Sequence, residues 1–484
     1  MTRTKDRYDV CIIGSGPNGL SAASLLAQSG LSILVLEAKS KLGGGMRTEE
    51  LTLPGFLHDV CSGAHPMGIL SPFFKTLPLE KFGLKWKEPP ISVAHPLDEE
   101  PSVLLTQSIE ETAEGLGIDG SSYQKLISPF VNNSPHFWED VLAPIHIPKD
   151  PFSFVRFGLT GIRSAKGLAG SRFKEKRAKA LFAGLASHSI LPLESPLTAA
   201  LGLVFAVSAH QKSWPVVEGG SENLAKALVA YLNTMGVEFQ TNTRITSIAE
   251  LPQTKVVIFD TDPLQLASLT ESHLPGLYRK RLERFRFGPG VFKMDWALDR
   301  AIPWKDPKCL SASTIHLGGT MEEIAKAEAD VWKGKHPDRP YVLLVQQSLF
   351  DPSRAPNGKH TGYAYCHVPN GSRIDLTEVI EKQIERFAPG FSKTILARHS
   401  MYTADFERYN PNYVGGAITG GAADLTQAFF RPVARLNPYS TPNPHLYICS
   451  ASTPPGGGVH GMCGFYAAKT VLKRIDKLKS LKFT

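Results

Sequence analysis

The chain has 484 residues, 42% hydrophobic and 20% charged, with a net charge of +8. This length predicts at least two domains with a large core, and the composition excludes a collagenous, disordered or disulfide-scaffold protein. The six cysteines (Cys11, Cys61, Cys309, Cys366, Cys449, Cys463) include no C-x-x-C pair and no zinc-ligand spacing. A redox dithiol and structural disulfides are therefore not expected, and a reducing compartment is. The fifteen histidines form no H-x-H or H-E-x-x-H cluster, so no metal site is expected. No apolar signal segment precedes the first strand-like run, and a cytoplasmic chain is expected.

The most informative stretch comes first. Val10 to Ile13 reads as a buried strand, followed by Gly14, Gly16 and Gly19 in G-x-G-x-x-G spacing and a helical segment to Gln28. A second apolar run, Leu31 to Leu36, ends at Glu37. This strand–turn–helix–strand unit carries the dinucleotide fingerprint. Gly14 permits the tight turn, Gly16 lets the backbone approach a pyrophosphate, and Gly19 lets helix and strand pack closely. The helix N-terminus then faces the phosphates. Glu37 is placed to accept both ribose hydroxyls, and its charge disfavours a 2′-phosphate.

Next come Gly43, Gly44, Gly45 and Arg47, where the backbone can pass close to a ligand and the guanidinium can grip a phosphate. Phe56 to Val60 reads as a strand returning to a small-residue turn that ends at His65. From Leu97 to His210 the chain reads as mostly helical. Residues 151–190 carry eight bases against a single acid, Glu175. Such a patch is a candidate peripheral membrane contact, against the plainer reading of solvated helix faces. No nucleic-acid module is present, so a nucleic-acid partner is not expected. Leu197 to Val207 is apolar throughout but too short to span a bilayer, which needs roughly 20 residues. It fits a buried core helix or a pocket wall.

Ser221 reads as the cap of a helix from Glu222 to Met235, with Leu224, Leu228 and Leu232 on one face. Strands are expected at Val237 to Gln240, Arg244 to Ile248 and Lys255 to Asp260. Partial alternation over Phe287 to Leu298 predicts another strand, as do Tyr341 to Leu349 and Gly362 to His367. Leu376 to Phe387 reads as a helix, and Asn410 to Ala422 as a Gly-rich loop reaching toward the centre. Near the end, a strand from Leu446 to Cys449 leads through Gly456 to Gly458 into a helix from about Gly461. That arrangement suits the electron-rich edge of a reduced flavin. A single fingerprint, the Gly-Gly-x-Arg element and this closing loop together fit one tightly held FAD better than NAD. His65 and His460 lie in the two loops assigned to the flavin and are the candidate catalytic proton carriers.

The segments GSGPNGLSAA, LEA, LGGGMRT, WPVVEGGSENL and LYICSASTPPGGGVHGMCGFYAA resemble the phytoene desaturase-like branch of FAD-dependent oxidoreductases. Within it, VFKMDWALDRAIPW and SLFDPSRAPNGKHTGYAYCHVP are similar to the bacterial relatives of pyridine nucleotide-disulfide oxidoreductase domain-containing protein 2. The resemblance implies that Gly14, Gly16, Gly19, Glu37, Gly45, Arg47, Ser452, Val459, Gly461 and Met462 hold FAD, with the Ile245 backbone at the adenine. It also implies hydride chemistry on an apolar, isoprenoid-like small molecule. Relatives are expected to carry an acid in the loop NPNYVGGAITGG, where this chain has Ala417.

The expected fold class is α/β, a Rossmann-like FAD-binding domain of the glutathione reductase/amine oxidase-like kind with an inserted α+β substrate domain. The FAD-binding domain is expected from 1–95, 212–290 and 436–484, and the substrate domain from 96–211 and 291–435. Two other readings stay open: a flavin amine oxidase, and a flavin-stabilised interaction protein.

Overall fold

The computed structural model describes residues 7–132 and 136–480. Among these residues, twelve strands build two large sheets. They begin with β1 (Arg7–Ile13), β2 (Ile33–Leu36), β3 (Ile91–His95), β4 (Val103–Thr106), β5 (Glu238–Gln240) and β6 (Gln253–Phe259). They continue with β7 (Gly290–Leu298), β8 (Ala312–Leu317), β9 (Val342–Val345), β10 (His360–Val368), β11 (Ile395–Met401) and β12 (Leu446–Ile448). The helices that matter for the site are α1 (Pro17–Gln28), α2 (Pro151–Gly161), α3 (Lys176–Ala186) and α4 (Thr198–Gln211). To these add α5 (Glu222–Thr234), α6 (Thr377–Phe387) and α7 (Met462–Ser480).

The first sheet has the order β12–β6–β1–β2–β5 and every pairing in it is parallel. Its inner strands β1, β2 and β6 are apolar at consecutive positions because both faces are covered. α1 packs between β1 and α7, and at Gly464 an added Cβ would collide with the Asn18 carbonyl oxygen. Only glycine admits that helix-on-helix approach. The second sheet has the order β11–β7–β10–β9–β8–β3–β4 and is antiparallel except where β3 pairs with β8. β3, placed at the end of the first sequence block, thus lies in the second sheet.

Both faces of the second sheet are buried along its central strands β7 to β10. Met294, Trp296, Ile315, Leu344, Ala364 and Cys366 form one core, covered by Ile380, Ile384 and Phe387 of α6. The opposite face carries the residues between them and lines the interior cavity. This explains why all nine residues of β7 are buried despite an alternating polar pattern.

Several local expectations need correction. Ser221 precedes α5 but makes no side-chain cap. Its hydroxyl is drawn instead to the Ser62 carbonyl and the His65 imidazole. Arg244 to Ile248 is not a strand: β5 already forms the sheet edge, and the chain turns past it into a short 3-10 turn at Ile248–Glu250. The strand expected over Phe56 to Val60 shrinks to His58–Asp59, paired only with Thr48–Glu49. All six cysteines are free, and burial pushes the Cys11 thiol up to about 12. α4 is both core helix and pocket wall, with Phe205 reaching the cavity.

Candidate functional site

A cavity of about 520 Å³ runs between the two sheets. At one end lie Glu37, Thr243 to Thr246 and the glycine loop, and at the other Phe205, Trp214, Leu343 and Val345. The first end follows directly from the fingerprint. Gly14 has φ +101°, and a Cβ there would stand 2.8 Å from the Asp260 carbonyl oxygen. A side chain would be strained on both counts. Glu37, at the end of β2, is buried and holds its neighbours in place. Its Oε2 accepts from Ser15 Oγ at 2.5 Å, and its Oε1 accepts from the Lys39 N–H at 2.9 Å. Arg47 lies 3.2 Å from Glu37 Oε1, donates to the Lys41 carbonyl, and stacks 5.3 Å from the centre of the Tyr409 ring. The loop expected to reach the centre does so: Asn410, Asn412, Tyr413, Ile418 and Gly420 line the cavity. Ala417, where an acid was expected, is turned away into a small core with Phe285 and Phe287.

Asp260, at the end of β6, was not anticipated as part of the site. Its Oδ2 accepts the Gly19 N–H at 3.0 Å. Burial raises its carboxyl to about 7, with the charge of Glu37 adding to the effect. The acid can therefore stay protonated beside the glycine loop, where an anion would be received. Asn18 Oδ1, also at the loop, is buried with no partner.

The sequence-selected residues separate into two groups. Gly14, Gly16, Glu37, Gly45, Arg47, His65, Ile245, Ser452 and Val459 all line the cavity. Gly19, Gly461, Met462 and His460 stand behind its wall. The Gly19 Cβ position is filled by the Gly14 carbonyl oxygen, with Asp260 Oδ2 3.0 Å away, and the Gly461 Cβ position is filled by Ser21 Oγ. His460 Nδ1 accepts the Met462 N–H at 3.0 Å, which makes it a cap for α7 rather than a cavity-facing group. His65 lines the cavity, but its Nε2 is engaged with Ser221 Oγ at 2.9 Å. Burial lowers His65 and His460 alike to about 4, so both are neutral near pH 7.

A network of buried charges braces this end. Arg354 donates to Asp59 at 3.0 Å, to Asp351 at 2.8 Å and to the Val217 carbonyl at 3.0 Å. Asp59 also accepts from Thr48 and from the Ser221 N–H, so each carboxylate oxygen is satisfied. Sequence alone does not single out this cluster, because its members lie on four separate segments.

The second end is built from alternate residues of adjacent strands. Thr314, Val345, Tyr363 and Asp295 are paired across four strands in one row. His316, Leu343, Tyr365 and Lys293 form the next. Side chains two apart on a strand share a face, and from these rows Thr314, Leu343, Val345, Tyr363 and Tyr365 line the cavity. Lys293 donates to Asp295, and its ammonium lies 4.4 Å from the centre of the Tyr363 ring. Against the upward pull of burial, Lys293 holds the Asp295 carboxyl below its ordinary range. The pair is thus charge-balanced inside the protein. Acids line the cavity only at its glycine-loop end, as Glu37, Asp260 and Asp262.

With this geometry in place, comparison with known proteins is informative. Residues 12–75 match the family model of an NAD(P)-binding Rossmann-like domain. The chain is 27% identical to pyridine nucleotide-disulfide oxidoreductase domain-containing protein 2 of Mus musculus, over 98% of this chain and 95% of that one. It is 23% identical to a limonene dehydrogenase component of Castellaniella defragrans (96% and 94% covered). It is equally 23% identical to all-trans-zeta-carotene desaturase of Myxococcus xanthus (93% and 90%). The chain is a homologue of these proteins. Among solved structures, an oxidoreductase from Methanosarcina mazei matches with a TM-score of 0.66 at 16% identity, covering 96% of this chain and all of that one. A variant of putrescine oxidase matches at 0.62 and 16%, covering 97% and 99%. The fold is thus amine oxidase-like, with a Rossmann-like parallel core.

Proposed function

We propose that the protein is an FAD-dependent oxidoreductase acting on a carbon–carbon bond of a hydrophobic, isoprenoid-like substrate. The carrying observation is the continuous cavity, which joins a dinucleotide-type end to an apolar, aromatic end. The residues fit the cofactor: Glu37 stands where a ribose would be held, and the glycine loop, Asn18 and the α1 N-terminus stand where a pyrophosphate would be received. Gly45, Ser452 and Val459 line the same cavity and would contact the flavin. Bound FAD would supply a two-electron hydride acceptor or donor. The chain's part is to bind and orient the reacting bond there and to exclude water. The names of the desaturase and limonene dehydrogenase relatives support the substrate class.

The fold neighbours bring an amine oxidase reading with them. The lack of any acid among the cavity's lining residues at the apolar end speaks against it, since an ammonium there would find no carboxylate partner. Anaerobic mixing of the purified yellow protein with polyenes, terpenes, quinols, amines and NADH decides between them. Bleaching of the flavin by polyenes or terpenes is expected; bleaching by amines alone would replace this reading with the second.

The same proposal includes a peripheral membrane contact, supported by the surface around α2. Phe152, Val155, Leu159 and Ile162 are exposed at helical spacing, and Ile147 and Phe152 are 91% and 90% exposed. Arg156 and Arg172 are exposed nearby, matching the charge of an anionic leaflet. No helix among the described residues is long and apolar enough to cross a membrane. Flotation with anionic and neutral liposomes tests this contact. Binding to anionic vesicles that is lost in Phe152→Ser/Leu159→Ser is expected, and absence of binding at low salt would remove it.

A further inference from the structure

The apolar end of the cavity contains polar groups that a pure hydrocarbon would leave unsatisfied. Thr314 is 1% exposed and lines the cavity, yet its Oγ1 has no hydrogen-bond partner. His188, in the 3-10 turn that follows α3, also lines the cavity and keeps part of its surface open. Its ring is clamped between Phe205, 4.3 Å away between centroids, and Trp214, 5.4 Å away. Behind it, His188 Nε2 lies 3.1 Å from His316 Nε2. One of these nitrogens must carry the proton and the other accept it, so the two rings are opposite tautomers. His316 Nδ1 is buried without a partner. A buried bare acceptor costs less than a buried orphan N–H, which favours His316 donating through Nε2. His188 then accepts at Nε2 and carries its own proton on Nδ1. His95 backs the pair, its Nε2 bonded to the Gly319 carbonyl at 2.7 Å.

From this constellation we infer that His188 and Thr314 form a subsite for one uncharged oxygen, a hydroxyl or carbonyl, on an otherwise apolar substrate. The inference deepens the proposed function and rests on it. A carboxylate is disfavoured because no free cation faces it: burial holds His188 and His316 neutral, and Lys293 is already paired with Asp295. An ammonium is disfavoured because no acid lines this end. Thr314 can donate or accept, and His188 presents a donor, so a carbonyl and a hydroxyl both satisfy the pair. The sequence pattern conceals the site because Thr314 and His316 share one strand while His188 comes from a helix terminus.

Equilibrium dialysis of the FAD-loaded protein with farnesol, farnesal, farnesoic acid and farnesene tests this without turnover. Farnesol and farnesal are expected to bind on the order of tenfold more tightly than farnesene, and farnesoic acid no more tightly than farnesene. Thr314→Val, of nearly the same shape, should bring farnesol down to the farnesene level and leave farnesene unchanged. His188→Phe should do the same. Equal binding of farnesol and farnesene by the unaltered protein, or preference for the acid, would overturn the subsite alone. Failure of every farnesyl probe to bind would overturn the isoprenoid reading on which it rests.

Discussion

The two ends of the cavity are made in opposite ways. The glycine-loop end comes largely from one contiguous stretch, in which turn, helix and acid follow one another within about thirty residues. The aromatic end is collected from three strands, β8 to β10, from α4 and from the segments carrying His188 and Trp214, each contributing one or two side chains. The first end is polar, backed by buried ion pairs; at the second, the Lys293–Asp295 pair is internally balanced. A region whose geometry comes from the backbone tolerates little change at any position. A region built from separate side chains can be altered one residue at a time.

The largest expected effect is at the first end. Glu37→Arg removes the acceptor for Ser15 and Lys39 and places a second cation against Arg47, at a cost of about 3–5 kcal/mol. The flavin-to-protein ratio after purification should fall by at least tenfold, and normal flavin content would break the assignment of this end. Gly14→Ala follows, strained both by φ and by contact with the Asp260 carbonyl, at about 1–3 kcal/mol. A clear drop in melting temperature is expected, whereas the same change at exposed Gly30, where no atom lies within 4 Å of the Cβ position, should cost only the φ term.

A pH test sharpens the contrast further. Asp260 is raised from 3.8 to about 7, so the folded state binds the proton more tightly than the unfolded chain does. Stability from this group is full below about 4, declines as pH rises, and is gone once pH passes about 7. Urea titrations between pH 5 and 8 should show this decline, and Asp260→Asn should flatten it. An unchanged slope in the variant would show that Asp260 does not carry the effect. The smallest effect is expected for His65→Gln, which loses the bond to Ser221 and costs about 1 kcal/mol. If it altered the pH dependence of turnover as well, His65 would act on the reaction and not only in bracing the loop.

The unequal construction also explains what could be read from the sequence. β1, α1 and β2 were visible because hydrophobic runs, glycines and acid occur at fixed spacing. The strands of the second sheet were visible as strands, but not which side of each faces the cavity. In β8, Thr314 and His316 alternate with Ile315 and Leu317, and that period of two was the available signal. His188 offered none, since nothing near it in sequence announces His316. In sequence Asp260 is only the end of a strand, and its place under the glycine loop follows from the parallel pairing of β1 with β6. His460 lies in the closing loop, but its ring turns back to the helix it caps, an orientation that position in sequence does not encode.

The close approach of α7 to α1 at Gly464 sets an order of assembly. The glycine loop is made first during synthesis, yet the wall formed by Ser450 to Val459 and the helix that locks it come last. Until α7 docks, the phosphate-receiving turn has one open side. A variant truncated before α7 should therefore purify without the flavin of the proposed site even with every fingerprint residue in place, and retention of flavin by that variant would count against the role of this wall.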